Sequence, residues 1–101
     1  MFYNVLKTKE LVDNDTQKID KKVLLENNES CLCIISLKKD EIIDTHTSTT
    51  NAAAYVIDGE IELHFEAEKF TLKEKEILMF KKNDEHKVLA KKDSKFMVIR
   101  I

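Results

Sequence analysis

The sequence feature that most constrains the fold is an alternation of apolar and polar residues with a period of two. In IELHFEAE, residues 61–68, every second residue is apolar. Successive side chains of a β-strand point to opposite faces, so this alternation predicts a strand with one buried face. Eight more strands are predicted in KKVLLEN, SCLCIISL, EIIDTHTS, AAAYVID, KFTLK, EILMFK, EHKVLAK and KFMVIRI. Their spacing of about eight to twelve residues is typical of an all-β sandwich or barrel, and only LKTKELVDND is predicted as a short helix.

Length and charge exclude several classes of protein. The 101 residues fit one domain, 1–101, in which residues 1–20 are expected to be an extension that packs on the barrel or on a partner chain. The 17 basic and 19 acidic residues are interspersed, whereas a nucleic-acid-binding surface is basic and clustered. The apolar runs fall short of the roughly 18 residues of a membrane span, and no secretory signal precedes them. We therefore expect a cytoplasmic protein without a nucleic-acid or membrane partner.

Two predicted strands, SCLCIISL and KFMVIRI, are apolar on both faces. Such strands have something packed on each side, either a second sheet and a partner chain or the N-terminal segment. This pattern predicts a homodimer. Cys31 and Cys33 share one face of the first strand, which places their Cα atoms about 6.5–7 Å apart. This distance is larger than that usually found between disulfide-linked Cα atoms, so we expect reduced, buried thiols.

The only glycine, Gly59, follows Asp58 between two predicted strands. A two-residue Asp-Gly turn favours positive φ, which glycine adopts without strain. Because the chain has no proline, its other turns are expected to use Asn and Asp, which tolerate the left-handed region.

The segment that ends at Gly59 resembles the first motif of the cupin family, G(X)5HXH(X)3–4E(X)6G. Asp40 stands at the first glycine and His46 at the first histidine. Ser48 occupies the position of the second histidine, and Ala52 that of the glutamate. The flanking text AYVIDGEIEL matches the strand–turn–strand sequence that is usual around this glycine.

The second cupin motif, G(X)5PXG(X)2H(X)3N, falls on Lys75, Lys81, Asn83, His86 and Ala90, of which only His86 is kept. The resemblance covers about residues 20–101. It implies an all-β fold, a small single-domain cupin β-barrel (a double-stranded β-helix, or jelly roll), commonly dimeric. It also implies a site inside the barrel where three His and one Glu hold a divalent metal.

Ser48 and Ala52 remove two of these four ligands and leave His46 and His86. Asp44 lies two residues before His46, on the same face of the predicted strand, and is a candidate third ligand. His64 is instead expected to face solvent. Two imidazoles alone bind metal weakly, so we expect either no cofactor or a weakly held divalent transition metal. In the other interpretation the two histidines line a pocket and bond to hydroxyls, water or a ligand.

Strand parity, by which every second side chain of a strand lies on the same face, also predicts a pocket with an apolar wall. Ala52 and Ala54 are expected to face it, because the glutamate of the family does. Polar groups would come from His46, Ser48, Thr50 and His86, as in pockets that are largely apolar with a few placed polar groups. The alternative is that a large side chain, Phe80 or Met79, fills the space.

Two functional hypotheses follow. The first is a cupin with a degenerate metal site that binds a small molecule without catalysis, or acts as a sensor module. The second is a metal-dependent cupin enzyme of the isomerase, epimerase or dioxygenase type that uses His46 and His86.

Overall fold

The computed structural model describes residues 3–101, which are built mainly of β-strands. All nine strands of this part of the chain fall on predicted segments, whereas the predicted helix is reduced to a single 3-10 turn at Thr8–Glu10. Within residues 3–101, no helix has the length and apolar character needed to cross a membrane. The strands are β1 (Ile19–Asn27), β2 (Ser30–Leu37), β3 (Ile42–His46), β4 (Ala52–Asp58), β5 (Glu60–Phe65), β6 (Lys69–Lys73), β7 (Ile77–Phe80), β8 (His86–Ala90) and β9 (Ser94–Arg100).

The strands form two antiparallel sheets that face each other, which confirms the predicted all-β barrel. The larger sheet has the order β1-β2-β9-β4-β7, and the smaller has the order β3-β8-β5-β6. Apolar side chains from both sheets meet between them and exclude water, the main favourable term in folding. The buried core consists of Cys33, Ile35, Leu37, Ala54, Val56, Ile61, Leu63, Leu72, Val88, Ala90 and Phe96.

Turns with positive φ connect several of these strands. Gly59 has a φ of 92°, and Asn28 in the β1–β2 turn has a φ of 56°. Asp40, Lys75 and Asn83 have φ values of 71°, 70° and 69°. These three residues occupy positions where the cupin motifs have glycine, so the backbone conformation of the motifs is kept although the glycines are not.

The turn at Gly59 packs directly against the start of β9. A Cβ atom on Gly59 would lie 2.5 Å from the carbonyl oxygen of Asp93 and closer still to Oγ of Ser94. Ser94 Oγ accepts the amide N–H of Glu60 at 3.0 Å. It also lies 2.7 Å from the carbonyl oxygen of Lys92, to which it donates. This hydroxyl therefore joins the β4–β5 turn to the end of the β8–β9 connection.

The N-terminal segment packs on the barrel. Val12 is buried, and the Ser36 hydroxyl in β2 donates to the carbonyl oxygen of Asp13 at 3.0 Å. Lys38 donates to the carbonyl oxygen of Asn14 at 3.2 Å. Residues 1–2 of the predicted extension lie outside the described residues, and its last two residues already belong to β1.

Both cysteines are free thiols. Cys33 is buried and Cys31 is half-buried. Burial raises the pKa of the Cys33 thiol, which keeps it protonated and favours its role as a small apolar side chain.

Candidate functional site

A cavity of about 240 Å³ lies between the two sheets at one end of the barrel. At this end β3 finishes with His46 and β8 begins with His86, and these two residues pair across the smaller sheet. In the larger sheet, Ala52 at the start of β4 pairs with Arg100 at the end of β9. All four residues line the cavity. Strand ends from both sheets thus bring polar side chains to an otherwise apolar space.

The two histidine rings are held in the same tautomer. Nδ1 of His46 lies 2.8 Å from the carbonyl oxygen of Asp44, and Nδ1 of His86 lies 2.9 Å from that of Asp84. Because a carbonyl oxygen can only accept, Nδ1 carries the proton in each neutral ring, and Nε2 carries the lone pair. The ring centroids are 4.3 Å apart. The pair therefore offers two neighbouring hydrogen-bond acceptors.

His86 is the more enclosed of the two rings, with 4% of its surface exposed. Its centroid lies 4.6 Å from that of Phe80 and 5.6 Å from that of Phe65. Burial among these rings lowers the pKa of His86, and the nearby His46 and the positive charge of Arg100 lower it further. His86 is therefore a neutral acceptor at pH 7.

Ser48, Thr50 and Asp44 have different positions relative to the cavity. Ser48 is buried and lines it. Thr50 does not line it; its amide donates to Ser48 Oγ at 3.2 Å, and its hydroxyl lies 3.3 Å from the same atom. Asp44 is exposed, and its carboxylate accepts the amide N–H of Thr45 at 2.8 Å. The structure therefore brings Ser48 to the histidines but not the carboxylate of Asp44.

The apolar wall contains the two alanines predicted from strand parity. Ala52 and Ala54 are buried and line the cavity. Phe80 also lines it without filling it, whereas Met79 points away and is 75% exposed. The other apolar lining residues include Ile35, Ile43, Leu63, Val88, Phe96 and Val98.

The donor set does not fit the metal site that the cupin motifs imply. A catalytic zinc site takes three protein ligands and leaves one position for water. Within residues 3–101, no three His, Cys, Asp or Glu side chains are grouped so that they could hold a metal ion. The positive charge of Arg100 borders the same cavity as His46 and His86 and opposes a divalent cation there.

His64 lies outside the cavity. Its Nε2 is 2.9 Å from Oε1 of Glu62, and the His64 side chain is 27% exposed. The hydrogen bond to His64 lowers the pKa of the Glu62 carboxyl. This pair is a surface contact on the smaller sheet rather than part of the candidate site.

The sequence pattern did not predict two cationic residues at the cavity, Arg100 and Lys21. Lys21 is an exposed residue of β1. Arg100 continues the inward-facing series of Phe96 and Val98 in KFMVIRI, so strand parity could have placed it. A second signal was available in the composition, because Arg100 is the only arginine of the chain.

Comparison with known proteins gives one family and a set of similar structures. The family model described as "Cupin domain" matches residues 33–101. A search of curated proteins gives no significant match. A cupin superfamily protein from Desulfitobacterium hafniense is 16% identical, with a TM-score of 0.90 over 100% of this chain and 93% of that one.

Two further solved structures are similar over most of this chain. A cupin 2 conserved barrel domain protein from Leptotrichia buccalis is 28% identical, with a TM-score of 0.85 over 92% of this chain and 45% of that one. KdgF from Halomonas sp. is 15% identical, with a TM-score of 0.76 over 94% of this chain and 91% of that one. The chain therefore spans slightly less than half of the Leptotrichia protein.

Proposed function

The chain belongs to the cupin family, whose model matches residues 33–101, and we propose that it binds a small molecule in its barrel without catalysing a reaction. The observation that carries this proposal is the cavity of about 240 Å³ bordered by Ala52, where the family motif has a metal-binding glutamate. A sensor role, in which a partner protein reads the occupied state, is compatible with the same cavity. Location in the cytoplasm stays a prediction from the sequence.

Filling the cavity tests the proposal. Ala54 faces the cavity, and its neighbour Ala53 lies on the other face of β4, so Ala54→Leu and Ala53→Leu add the same atoms on opposite sides of one strand. We expect benzoate or benzamide to shift the methyl resonances of Ala52 and Ala54 in the unmodified protein. Ala54→Leu should abolish binding, and Ala53→Leu should leave it unchanged.

Thermal melting of both variants would show whether each remains folded. If neither probe at tens of millimolar (roughly the concentration needed for millimolar affinities) shifts these methyl groups, the proposal is wrong. Elemental analysis of purified protein that found about one transition metal per chain would also contradict it.

The alternative, a metal-dependent cupin enzyme, is favoured by one observation. Both histidines donate Nδ1–H to a backbone carbonyl oxygen, an arrangement that metal-binding histidines commonly have. If this alternative holds, His86→Ala should remove both metal content and activity while the protein remains folded. A metal content unchanged by His86→Ala would exclude it. The missing third ligand makes small-molecule binding the better-supported function.

We also propose that the protein forms a homodimer through the outer face of its larger sheet. Residues on this face lie side by side across four strands: Met97 pairs with Ile34 and Tyr55, and Ile99 pairs with Leu32 and Ala53. The series continues into β7, where Ile77 is 51% and Met79 is 75% exposed. Ile34 is fully buried, so the exposed apolar part of this face lies toward β7, and an exposed apolar patch of this kind is typical of a protein–protein interface. Light scattering that shows a monomer at micromolar concentration would contradict the dimer.

A further inference from the structure

The chain contains sixteen lysines and one arginine, and the arginine is at the cavity. Lysine and arginine are interchangeable as solvated surface charges, but not where a planar, forked donor must meet a carboxylate or phosphate. In a chain that otherwise uses lysine throughout, the single guanidinium at the candidate site points to a specific hydrogen-bonding role.

The surroundings of Arg100 leave its hydrogen-bonding capacity largely unused. Its Nε–H is buried and has no hydrogen-bond partner within the described part of the chain. Nη1 lies 3.9 Å from Sγ of Cys31, and a thiol is a weak acceptor. No salt bridge within residues 3–101 involves Arg100. A guanidinium does not lose its proton in a protein, so this positive charge persists at every physiological pH.

The other lining residues do not compensate for this charge. Among residues 3–101, those that border the cavity include Lys21 as a second cation, and none of them is Asp or Glu. His46 and His86 lie nearby, and the neutral forms of their rings carry no negative charge. A partly buried cation without a counter-ion is costly unless another charge pairs with it. The cavity is therefore electrostatically suited to an anion.

We propose that the ligand is a small organic carboxylate whose anionic group binds Arg100 and whose apolar part lies against Ala52 and Ala54. This inference rests on the proposed function, since it names the chemical class of the molecule that the cavity takes. A carboxylate accepts two parallel hydrogen bonds from a guanidinium, which adds geometric specificity to the attraction of charge. The Nε2 atoms of the two histidines would accept hydrogen bonds from any hydroxyl or amine that the ligand carries.

The size of the cavity limits the ligand. A volume of about 240 Å³ is smaller than the pockets that bind drug-sized molecules. We therefore expect a compact acid with about six to ten non-hydrogen atoms. The apolar lining favours an organic acid over inorganic phosphate, which has no apolar surface to bury.

A titration with matched acid and amide probes tests the inference. Benzoate and benzamide have the same shape, and only benzoate is charged. Because Arg100 is the only arginine, its Nε–H gives a single side-chain resonance that needs no further assignment. We expect benzoate to shift this resonance together with the Ala54 methyl group, and to bind about ten- to a hundredfold more tightly than benzamide.

Variants of Arg100 separate charge from the forked geometry. Arg100→Gln should weaken benzoate binding about tenfold or more and leave benzamide binding nearly unchanged. Arg100→Lys keeps the charge and should recover part of the affinity. The matched control is Lys22→Gln, which removes one positive charge from the opposite face of β1, next to Lys21. Amide spectra that overlay on the parent spectrum would verify that each variant is folded.

The outcomes separate this inference from the proposed function. Equal affinity for benzoate and benzamide, with no effect of Arg100→Gln, would overturn the carboxylate inference and leave small-molecule binding intact. Inorganic phosphate that binds as tightly as benzoate would overturn the organic part of the inference. If neither organic probe perturbs the cavity, the proposed function fails and the inference fails with it.

Discussion

At the scale of single residues, the positive φ of Gly59 and that of Lys75 predict opposite effects of substitution on stability. Both residues adopt a positive φ, but only Gly59 also packs where a Cβ atom would clash with Asp93 and Ser94. Gly59→Ala should therefore lower the free energy of unfolding by about 2–4 kcal/mol, because it adds backbone strain and overpacking. Lys75→Gly should instead raise it by up to about 1 kcal/mol. Denaturant titration of both variants tests this contrast, and equal effects would contradict it.

The buried ring of His86 predicts a pH-dependent stability. Its folded-state pKa lies below the ordinary value of 6.5, so between these two values the unfolded chain binds more protons than the folded one. The free energy of unfolding should be highest above about pH 6.5 and should decrease as the pH falls toward the folded-state pKa. Urea titrations between pH 7.5 and 5 (a range that brackets roughly the histidine pKa) should show this decrease. His86→Gln should make it shallower, and an unchanged slope would show that other groups cause it.

Strand parity predicts which residues face the cavity, but not whether their polar groups combine into a site. Ala52 and Ala54 follow directly from parity, because β4 is regular where they lie. Asp44 has the parity of His46, yet the irregular pairing between Ile43 and His46 separates its carboxylate from the cavity. An irregularity of this kind depends on the partner strand and leaves no local signal in the sequence.

At the scale of elements, the apolar residues and the turn residues between them predict all nine strands that residues 3–101 contain. The segments AAAYVID and KFTLK even coincide with the observed bounds of β4 and β6. The predicted helix in LKTKELVDND is wrong, because only Thr8–Glu10 form a turn, of the 3-10 type. No residue of this turn is buried. A helix this short is marginal without an apolar face packed on the core. Strand order within the sheets is a non-local property and was available only through the family resemblance.

The contact between the β4–β5 turn and β9 predicts the effect of one hydroxyl. Ser94 is fully buried, and its Oγ bonds to the amide of Glu60 and to the carbonyl oxygen of Lys92. Ser94→Ala should lower the free energy of unfolding by about 1–3 kcal/mol, because the amide of Glu60 and the carbonyl oxygen of Lys92 each lose a partly buried hydrogen bond. The control is Ser30→Ala at the less buried start of β2, where a change of under about 0.5 kcal/mol is expected. Similar losses in the two variants, measured by urea titration, would contradict the assigned role of Ser94.

At the scale of the whole molecule, the two broad faces of the larger sheet differ in function. The inner face carries the core and the cavity, and the outer face carries the proposed dimer contact. Met79→Lys should weaken the dimer about tenfold or more, since it places a charge in an apolar interface. Ile42→Lys changes a residue of the smaller sheet that is 51% exposed and should leave the dimer intact. Sedimentation of both variants at matched concentrations tests this, and equal dissociation would place the contact elsewhere.

The central position of β9 has a consequence for how the chain folds. In the order β1-β2-β9-β4-β7, β9 is hydrogen-bonded to β2 on one side and to β4 on the other, so it joins the β1–β2 hairpin to the β4–β7 pair. Both flanking strands therefore present unpaired edges until β9, which follows them in the chain, inserts between them. Contacts between residues far apart in sequence slow folding, so we expect refolding in milliseconds to seconds. The apolar edge SCLCIISL is exposed during that interval, which makes the partly folded chain, rather than the native barrel, the species most prone to aggregate.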